Sequence, residues 1–345
     1  MDLTIAAILG LDGLTNGAIY ALVALALVLV FSVTRVIFIP QGEFVAFGAL
    51  TLASLQAGKV PGTVWLLLMM AVAAAVLDLV QGLRERRAAS TIVWGLVETL
   101  SFPIAMALLV PMLATRQPAL WLQVLVTLLI VTAMGPLLYR LAYRALSSAS
   151  VLTLLIVSVG VHFALTGVGL VFFGAEGYRT PAFWDARFDL GPLSLTGQTL
   201  IIFGASVALL VAMAVFFERT LTGKALRATS VNRTGARLMG ISGDAAGALS
   251  FTMAAFIGAL SGLLISPSTT IYYDTGFLIG LKGFVAAVFG GLASFPMALA
   301  GAVGVGLIES FGSFWASAFK EVIVFTVILP VLLWRSFVDP HHEEH

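Results

Sequence analysis

The chain has 345 residues, of which 60% are hydrophobic and 10% charged, and its mean hydropathy is +1.07. Soluble domains are about half apolar and a quarter charged, so this composition argues against a soluble enzyme and against a nucleic-acid-binding protein. The sequence has no cysteine, which excludes disulfides, thiolate metal sites and cysteine nucleophiles. Apolar segments recur at membrane-spanning length throughout, so we predict one all-α polytopic membrane domain over residues 1–345.

The apolar segments, taken in chain order, predict about eight to eleven membrane helices. The first follows an acidic Met1-Asp2 start without a basic leader, which is typical of a retained span rather than a cleaved signal peptide. Segments 41–58, 276–292 and 294–312 are short and rich in glycine, and we expect broken or re-entrant helices there. The predicted segments are 13–35, 41–58, 62–83, 91–113, 119–141, 150–173, 197–217, 245–266, 276–292, 294–312 and 320–337.

Basic residues form three clusters, and two predicted spans separate each cluster from the next. All three clusters therefore lie on one face of the membrane, and short basic loops are retained in the cytoplasm. The amino terminus and the loop 174–196 fall on the opposite face. The residues predicted to be cytoplasmic are Arg35, Arg84–Arg87, Arg140, Arg144, the stretch 219–241 and the tail after Arg335.

Ionisable side chains inside predicted spans are costly, so each is a candidate functional residue. Lys282 and Glu309 lie in adjacent predicted helices and are able to pair, either to fix the packing or to line a pathway. Glu43 follows a Pro-Gln-Gly break, where a broken helix would present its end to a ligand. The substrate-pathway candidates are Gln41, Gly42, Glu43, Lys282 and Glu309; the other ionisable residues in spans are Asp78, Glu98, His162 and the Lys320-Glu321 pair.

The polar, basic stretch Leu221–Gly240 interrupts the apolar pattern. Thr222 is able to cap a helix through Ala228, and Asn232 a second helix that ends at Gly240. In the second helix Arg233 and Arg237 are four residues apart and share a face, while Ala236, Leu238 and Met239 form an apolar side. This pattern fits either a loop that touches lipid headgroups or a helical hairpin that docks a cytosolic partner. The stretch is not a phosphate loop, because Glu218 and Ala225 replace the required residues.

Several motifs resemble the permeases of ATP-binding-cassette (ABC) importers of the branched-chain amino acid type. The segment GFLIGLKGFVAAVFGGLAS (276–294) is the most specific of them. The basic stretch resembles the cytoplasmic coupling loop of that family, over 219–241. The remaining matches are TGKALRAT (222–229), ARLMGI (236–241), AGAVGVGLIE (300–309), NGAIYALVAL (16–25), Gly42-Glu43 and Tyr143-Arg144.

This resemblance implies the membrane subunit of an ATP-driven importer in a bacterial inner membrane, which moves a small polar solute by alternating access. Its partners would be two cytosolic ATP-binding subunits, a homologous permease or a second copy of the chain, a periplasmic solute-binding protein and membrane lipid. ATP and magnesium would be bound by the ATPases, and this chain would hold no metal or cofactor and catalyse no reaction. The implied ATPase-coupling residues are Thr222, Gly223, Lys224, Arg227, Arg233, Arg237 and Gly240.

The chain also departs from the family pattern. Phe38 and Gln41 stand where the family has Asn and His in its "NFAHGE" motif, which puts the usual amino acid substrate in doubt. Residues 78–118 resemble an insertion relative to shorter members.

Two other function classes remain open at this stage. An intramembrane serine hydrolase would use Ser261, within GALSG (258–262), as nucleophile and His162 as base, and it would need a hydrogen bond between them. An ion-coupled secondary transporter would need paired carboxylates across an inverted repeat, and no clear repeat is visible.

Overall fold

A computed structural model describes residues 3–191, 193–292, 294–327 and 329–333. The predicted tail after Arg335 lies outside the described residues. The prediction of an all-α membrane protein is confirmed. The sequence did not predict the short two-stranded hairpin in the loop between the sixth and seventh helices. The elements are α1 (Leu3–Thr34), α2 (Gln41–Gln56), α3 (Gly62–Arg84), α4 (Ala89–Arg116), α5 (Leu120–Leu138), α6 (Val151–Phe173), β1 (Arg187–Leu190), β2 (Leu193–Thr196), α7 (Gly197–Arg219), α8 (Leu221–Val231), α9 (Arg233–Leu238), α10 (Gly243–Ile265), α11 (Thr275–Phe289), α12 (Phe295–Ala316) and α13 (Lys320–Thr326).

Eight helical stretches among the described residues are long and apolar enough to cross a membrane. In lipid every backbone polar group must be satisfied within the protein, and helices do this internally. The eight stretches are Leu3–Thr34, Gly62–Arg84, Ala89–Arg116, Leu120–Leu146, Val151–Phe173, Gly197–Arg219, Gly243–Ile265 and Phe295–Leu333. The chain is therefore a multi-pass membrane protein.

Two of the three segments predicted to be short are short. Helix α2 has 16 residues and α11 has 15, so each covers about 24 Å or less, whereas a bilayer core needs about 30 Å. The prediction for 294–312 is wrong, because α12 has 22 residues. Its glycines do not shorten it; they allow close packing, as where a Cβ on Gly306 would lie 2.2 Å from the Gly13 carbonyl oxygen of α1.

Helix α1 forms the centre of the bundle. Its residues from Ile19 to Val30 are buried without interruption. A surface helix would show one apolar stripe, but a helix buried all round is apolar on every side. Helices α10, α11 and α12 pack around it.

The short helices α2 and α11 cross within the core by direct backbone contact. A Cβ on Gly42 would lie 1.8 Å from the carbonyl oxygen of Gly276. The side chain of Gln41 donates from Nε2 to the Ala254 carbonyl of α10 at 3.0 Å. Ala254 is roughly three turns into α10, so α2 begins about 16 Å from the α10 start, near the middle of a bilayer. The broken helix predicted at the Pro-Gln-Gly sequence is therefore observed.

The predicted cytoplasmic clusters meet at one end of the bundle, which we call the basic end. Arg144 contacts Asp244 at the start of α10 at 3.1 Å, and Arg233 donates to the Val33 carbonyl at the end of α1. At the opposite end the backbones of Tyr178 and Ile271 pair, next to the loop that carries β1 and β2. The predicted placement of the basic clusters on one face of the bundle is therefore confirmed.

Candidate functional site

The first candidate region surrounds the start of α2. Glu43 Oε1 lies 2.6 Å from His162 Nδ1 of α6, and the two side chains are 1% and 8% exposed. The His162 ring stacks on Phe277 of α11, with 4.5 Å between ring centroids. A carboxylate in such a dry setting requires a hydrogen-bonded partner, and His162 provides it. From the sequence His162 is only an ionisable residue within a span and a candidate hydrolase base, because nothing in sequence spacing links residues 43 and 162.

Two buried acceptor atoms at the start of α2 have no hydrogen-bond donor among the described residues. They are Gln41 Oε1 and Glu43 Oε2. Leaving a buried polar group unsatisfied costs about 1–3 kcal/mol, so such groups need a reason. Both atoms accept hydrogen bonds, so the local chemistry favours a ligand that donates several N–H or O–H groups.

The second polar cluster joins four helices. Lys282 Nζ of α11 lies 2.6 Å from Glu309 Oε1 of α12 and 3.1 Å from Glu321 Oε1 of α13. Tyr20 of α1 donates to Glu309 Oε2 at 2.5 Å. The predicted pairing of Lys282 with Glu309 is thus confirmed, and Glu321 joins the same lysine rather than forming a unit with Lys320.

The structure does not bring the five substrate-pathway candidates together. Gln41, Gly42 and Glu43 belong to the α2 region, and Lys282 and Glu309 belong to the four-helix cluster. Among the described residues no hydrogen bond or ion pair joins the two groups. In the four-helix cluster both carboxylate oxygens of Glu309 are bonded, and Glu321 Oε2 is buried without a hydrogen-bond partner among the described residues. Bonds between four helices are typical of a group that fixes helix packing.

The geometry required for an intramembrane serine hydrolase is not formed. Ser261 is fully buried, and its Oγ donates to the Ile257 carbonyl in its own helix at 2.8 Å. His162 pairs with Glu43 instead. A serine nucleophile needs a base within hydrogen-bond reach, so this hypothesis loses its support.

The basic stretch forms two short helices, as predicted, but the first cap is different. Thr220 Oγ1, not Thr222, accepts a hydrogen bond from the Gly223 amide at 2.9 Å, and α8 continues to Val231 rather than Ala228. Thr220 has the extended backbone that a helix cap requires, whereas Thr222 already lies inside the helix. The predicted cap at Asn232 is confirmed.

Arg233 and Arg237 share a face of α9 as predicted, since both line the pocket that also contains Val33 and Asp244, but they differ in burial. Arg233 points into the bundle, where its Nε and Nη2 atoms both donate to the Val33 carbonyl, at 3.0 and 2.5 Å. Burial and the nearby cations Arg35 and Arg237 lower the pKa of Arg233. Arg237 remains exposed. The Val33 carbonyl at the end of α1 accepts hydrogen bonds from Arg233 and not from Arg237. Helical periodicity places both arginines on one face but does not predict which of them makes this contact.

The other predicted coupling residues also divide between buried and exposed positions. Gly223 is buried, since a Cβ there would lie 2.1 Å from the Phe216 carbonyl oxygen. Thr222, Lys224, Arg227 and Gly240 are exposed. Gly240 adopts a φ of +82°, which allows the chain to turn out of α9.

Large apolar side chains stand in solvent next to these charges. Leu238 and Met239 were predicted as an apolar side, but Leu221 and Val231 were missed and Ala236 is buried. The exposed fractions are 86% for Leu221, 81% for Val231, 82% for Leu238 and 83% for Met239. We call these four residues with Lys224, Arg227 and Arg237 the hairpin surface. Beside it is a groove of about 720 Å³, whose lining includes Val231 and Met239. An exposed apolar patch rimmed by charge is typical of an interaction site.

Comparison with known proteins agrees with this architecture. Residues 9–332 match the family described as "Branched-chain amino acid transport system / permease component". The high-affinity branched-chain amino acid transport system permease protein BraD of Pseudomonas aeruginosa is 28% identical over 71% of this chain and 87% of its own length. The permease protein LivH of Escherichia coli is 28% identical over 60% of this chain and 69% of its own length.

One solved structure, PsaBC from Streptococcus pneumoniae in complex with Fab, aligns with 95% of this chain and 90% of its own chain. The TM-score is 0.40 and the sequence identity 13%. The family match covers nearly the whole described bundle, including α2, α6 and the hairpin surface. The chain therefore belongs to the family of branched-chain amino acid transport permease components and is an ABC-type permease of the LivH type.

Proposed function

We propose that this chain is the transmembrane subunit of an ATP-driven importer that carries branched-chain amino acids into the cytoplasm of a bacterium. The observation that carries the proposal is the hairpin surface, an apolar and basic patch on a hairpin bonded directly to the central helix. Residues 1–345 form the permease domain, and 219–241 its coupling loop. Segment 78–118, which contains the end of α3, the peripheral helix α4 and the loop between them, is an insertion relative to shorter members.

The partners follow from the two ends of the bundle. Two cytosolic ATPases bind the hairpin surfaces of two permease subunits, the second being a homologue or another copy of this chain. Val231, Leu238 and Met239 supply apolar contact area, and Lys224, Arg227 and Arg237 supply charge for an acidic rim. A periplasmic binding protein delivers substrate at the opposite end. ATP and magnesium belong to the ATPases, and this chain contributes no cofactor site.

The Arg233 contact provides a physical route from the hairpin to the core. It joins α9 to the end of α1, so displacement of the hairpin moves α1 and the segment that leads into α2. Helix α1 is joined in turn to α11, α12 and α13 through Tyr20 and the Lys282 cluster. ATP-driven closure of the ATPases would therefore shift several helices together, which is the requirement for alternating access.

The start of α2 supplies a substrate site in the pathway. Gln41 Oε1 and Glu43 Oε2 are acceptors that would take the ammonium group of an amino acid. Gly42, between them, lets the α11 backbone pack closely against α2. Phe277 lies beside them on His162, and Phe38 packs on Phe44 and Phe251 nearby. Apolar walls with a few convergent polar atoms suit an amino acid with a hydrocarbon side chain. Lys282 and Glu309 hold the helices around this site.

Reconstitution tests the proposal. The chain, its second permease and the two ATPases are placed in liposomes with the binding protein, and uptake of radiolabelled leucine is measured with and without enclosed ATP. We expect uptake that requires ATP and the binding protein. Uptake by the purified chain alone under an ion gradient would overturn the proposal in favour of a secondary transporter.

A further inference from the structure

A groove unrelated to the hairpin surface opens on the side of the bundle at the basic end. It has a volume of about 630 Å³ and lies between α4, the end of α5 and the start of α10. Its inner wall is apolar and includes Phe102, Pro103 and Leu137. Its mouth is lined by Glu98, Arg140, Arg144 and Asp244. The groove therefore combines an apolar slot with charges of both signs.

The two arginines at the mouth are partly used by the protein. Arg140 donates to Thr99 at 3.1 Å and pairs with Asp78, which ties α5 to α3 and α4. Arg144 contacts Asp244 through Nε alone, and the two side chains are 39% and 52% exposed. The other N–H groups of the Arg144 guanidinium form no hydrogen bond among the described residues, and since Arg144 lines the groove they are available to an anion there.

Glu98, on the same groove, needs a cation or a hydrogen-bond donor, whereas Arg144 is available to an anion. Its side chain is exposed and lines the groove, and within the described ranges its carboxylate receives no hydrogen bond and forms no ion pair. Glu98 lies roughly two and a half turns into α4, about 13 Å from the helix start. A carboxylate at this depth in a membrane helix is costly unless a cation or donor reaches it.

The exposed side of α4 beside this groove is apolar, as expected of a helix side that faces lipid. Helix α4 lies at the periphery, with few buried residues, and Trp94, one turn before Glu98, is 73% exposed. The occupant must therefore carry a cation for Glu98, an anion for Arg144 and a hydrocarbon chain for the wall at Phe102.

We propose that the groove binds phosphatidylethanolamine from the leaflet at the basic end. Its ammonium group donates to Glu98, its phosphate accepts from Arg144, and one acyl chain lies along Phe102, Pro103 and Leu137. Phosphatidylglycerol has no cation and would leave Glu98 unpaired beside a second negative charge. Phosphatidylcholine keeps the charge but has no N–H group to donate.

The test measures the lipid that the full chain retains. Wild type, Glu98→Gln and Arg144→Gln are purified in mild detergent, and bound lipids are extracted and quantified by mass spectrometry. Glu218→Gln is the matched control, because Glu218 is exposed at the same end but lines the groove beside the hairpin surface instead. We expect both groove variants to lose phosphatidylethanolamine by about tenfold relative to the control, which corresponds to the loss of one strong ion pair.

A second measurement separates a binding defect from a folding defect. Delipidated wild type receives each of the three phospholipids in turn, and the shift of its unfolding temperature is recorded. Phosphatidylethanolamine should give the largest shift, and Glu98→Gln should abolish that difference while its unfolding temperature without lipid stays near wild type.

Three results would overturn the proposal. They are equal retention of phosphatidylethanolamine by Glu98→Gln and the control, an equal shift with phosphatidylglycerol, and cross-linking of a photoreactive residue at Gly95 to protein rather than lipid in the assembled transporter.

Discussion

Glu43 Oε1 and His162 Nδ1, 2.6 Å apart, join the start of the half-helix α2 to the membrane helix α6. Apart from this bond, α6 has few polar contacts with the bundle, such as the one between Ser158 and Tyr143. The pair therefore both satisfies a buried carboxylate and sets the position of α6 relative to the proposed substrate site. Two variants separate these roles.

Glu43→Gln keeps an acceptor for His162 but removes the charge that the substrate ammonium would meet. We expect it to fold and to bind ATPase normally, with leucine uptake reduced at least about tenfold, the change produced by loss of roughly 1.4 kcal/mol of binding free energy. His162→Ala leaves Glu43 buried without a partner, and we expect it to lower the free energy of unfolding by about 3–5 kcal/mol. Ile156→Ala on the same helix is the control, because Ile156 is 64% exposed. Uptake by Glu43→Gln at the wild-type level would contradict the substrate role.

The lysine of the four-helix cluster makes a stability prediction. In Lys282→Met, Glu309 and Glu321 lose their shared cation, so two buried or half-buried carboxylates face each other. We expect the unfolding temperature in detergent to fall, with a destabilisation of about 3–5 kcal/mol. Lys320→Met is the matched control. The double variant Lys282→Met, Glu309→Gln should recover part of the lost stability. If the double variant is no more stable than Lys282→Met, the unpaired Glu309 charge is not the cause of the destabilisation.

The crossing of α2 and α11 depends on glycine. In Gly42→Ala the new Cβ would meet the Gly276 carbonyl oxygen, which lies 1.8 Å from the ideal position and belongs to backbone. Overpacking of this kind costs about 1–3 kcal/mol even where side chains yield, and backbone yields less. We expect reduced insertion of folded protein and loss of uptake, measured by size-exclusion profile and leucine transport. Gly160→Ala is the control, since a Cβ there meets no atom within 4 Å.

The sequence predicts the helical segments well because membrane-spanning helices are recognisable from the length and apolar composition of a segment. It also predicts Lys282 with Glu309, since both are charges within neighbouring spans. It does not predict Glu43 with His162 or Arg233 with Val33, because these contacts depend on how distant helices pack in three dimensions. The sequence also predicts the wrong cap for α8, Thr222 instead of Thr220. Which threonine caps a helix depends on backbone conformation, and the sequence does not determine that conformation locally.

The hairpin surface leads to a prediction about ATPase binding. In Leu238→Asp an apolar side chain that is 82% exposed becomes charged, so the permease should keep its stability and lose contact area with the partner. Apolar anchors at the centre of an interface contribute about 2 kcal/mol or more, so we expect binding to weaken by roughly 30-fold. Thr234→Asp adds the same charge to an exposed position of α9 and is the control. Equal co-purification of ATPase with both variants would contradict docking at Leu238.

The two arginines of α9 should respond differently to substitution because only one of them faces solvent. Arg237→Ala removes an exposed cation, so ATPase binding should weaken, more at low salt than at high salt, while the unfolding temperature stays constant. Arg233→Ala removes a charge-assisted bond to Val33, which is worth about 1.5–3 kcal/mol, and detaches the hairpin from α1. We therefore expect Arg233→Ala to retain ATPase binding but to hydrolyse ATP without transporting leucine. Simultaneous measurement of co-purification, ATP hydrolysis and uptake distinguishes the two, and tight coupling in Arg233→Ala would show that motion reaches the core by another route.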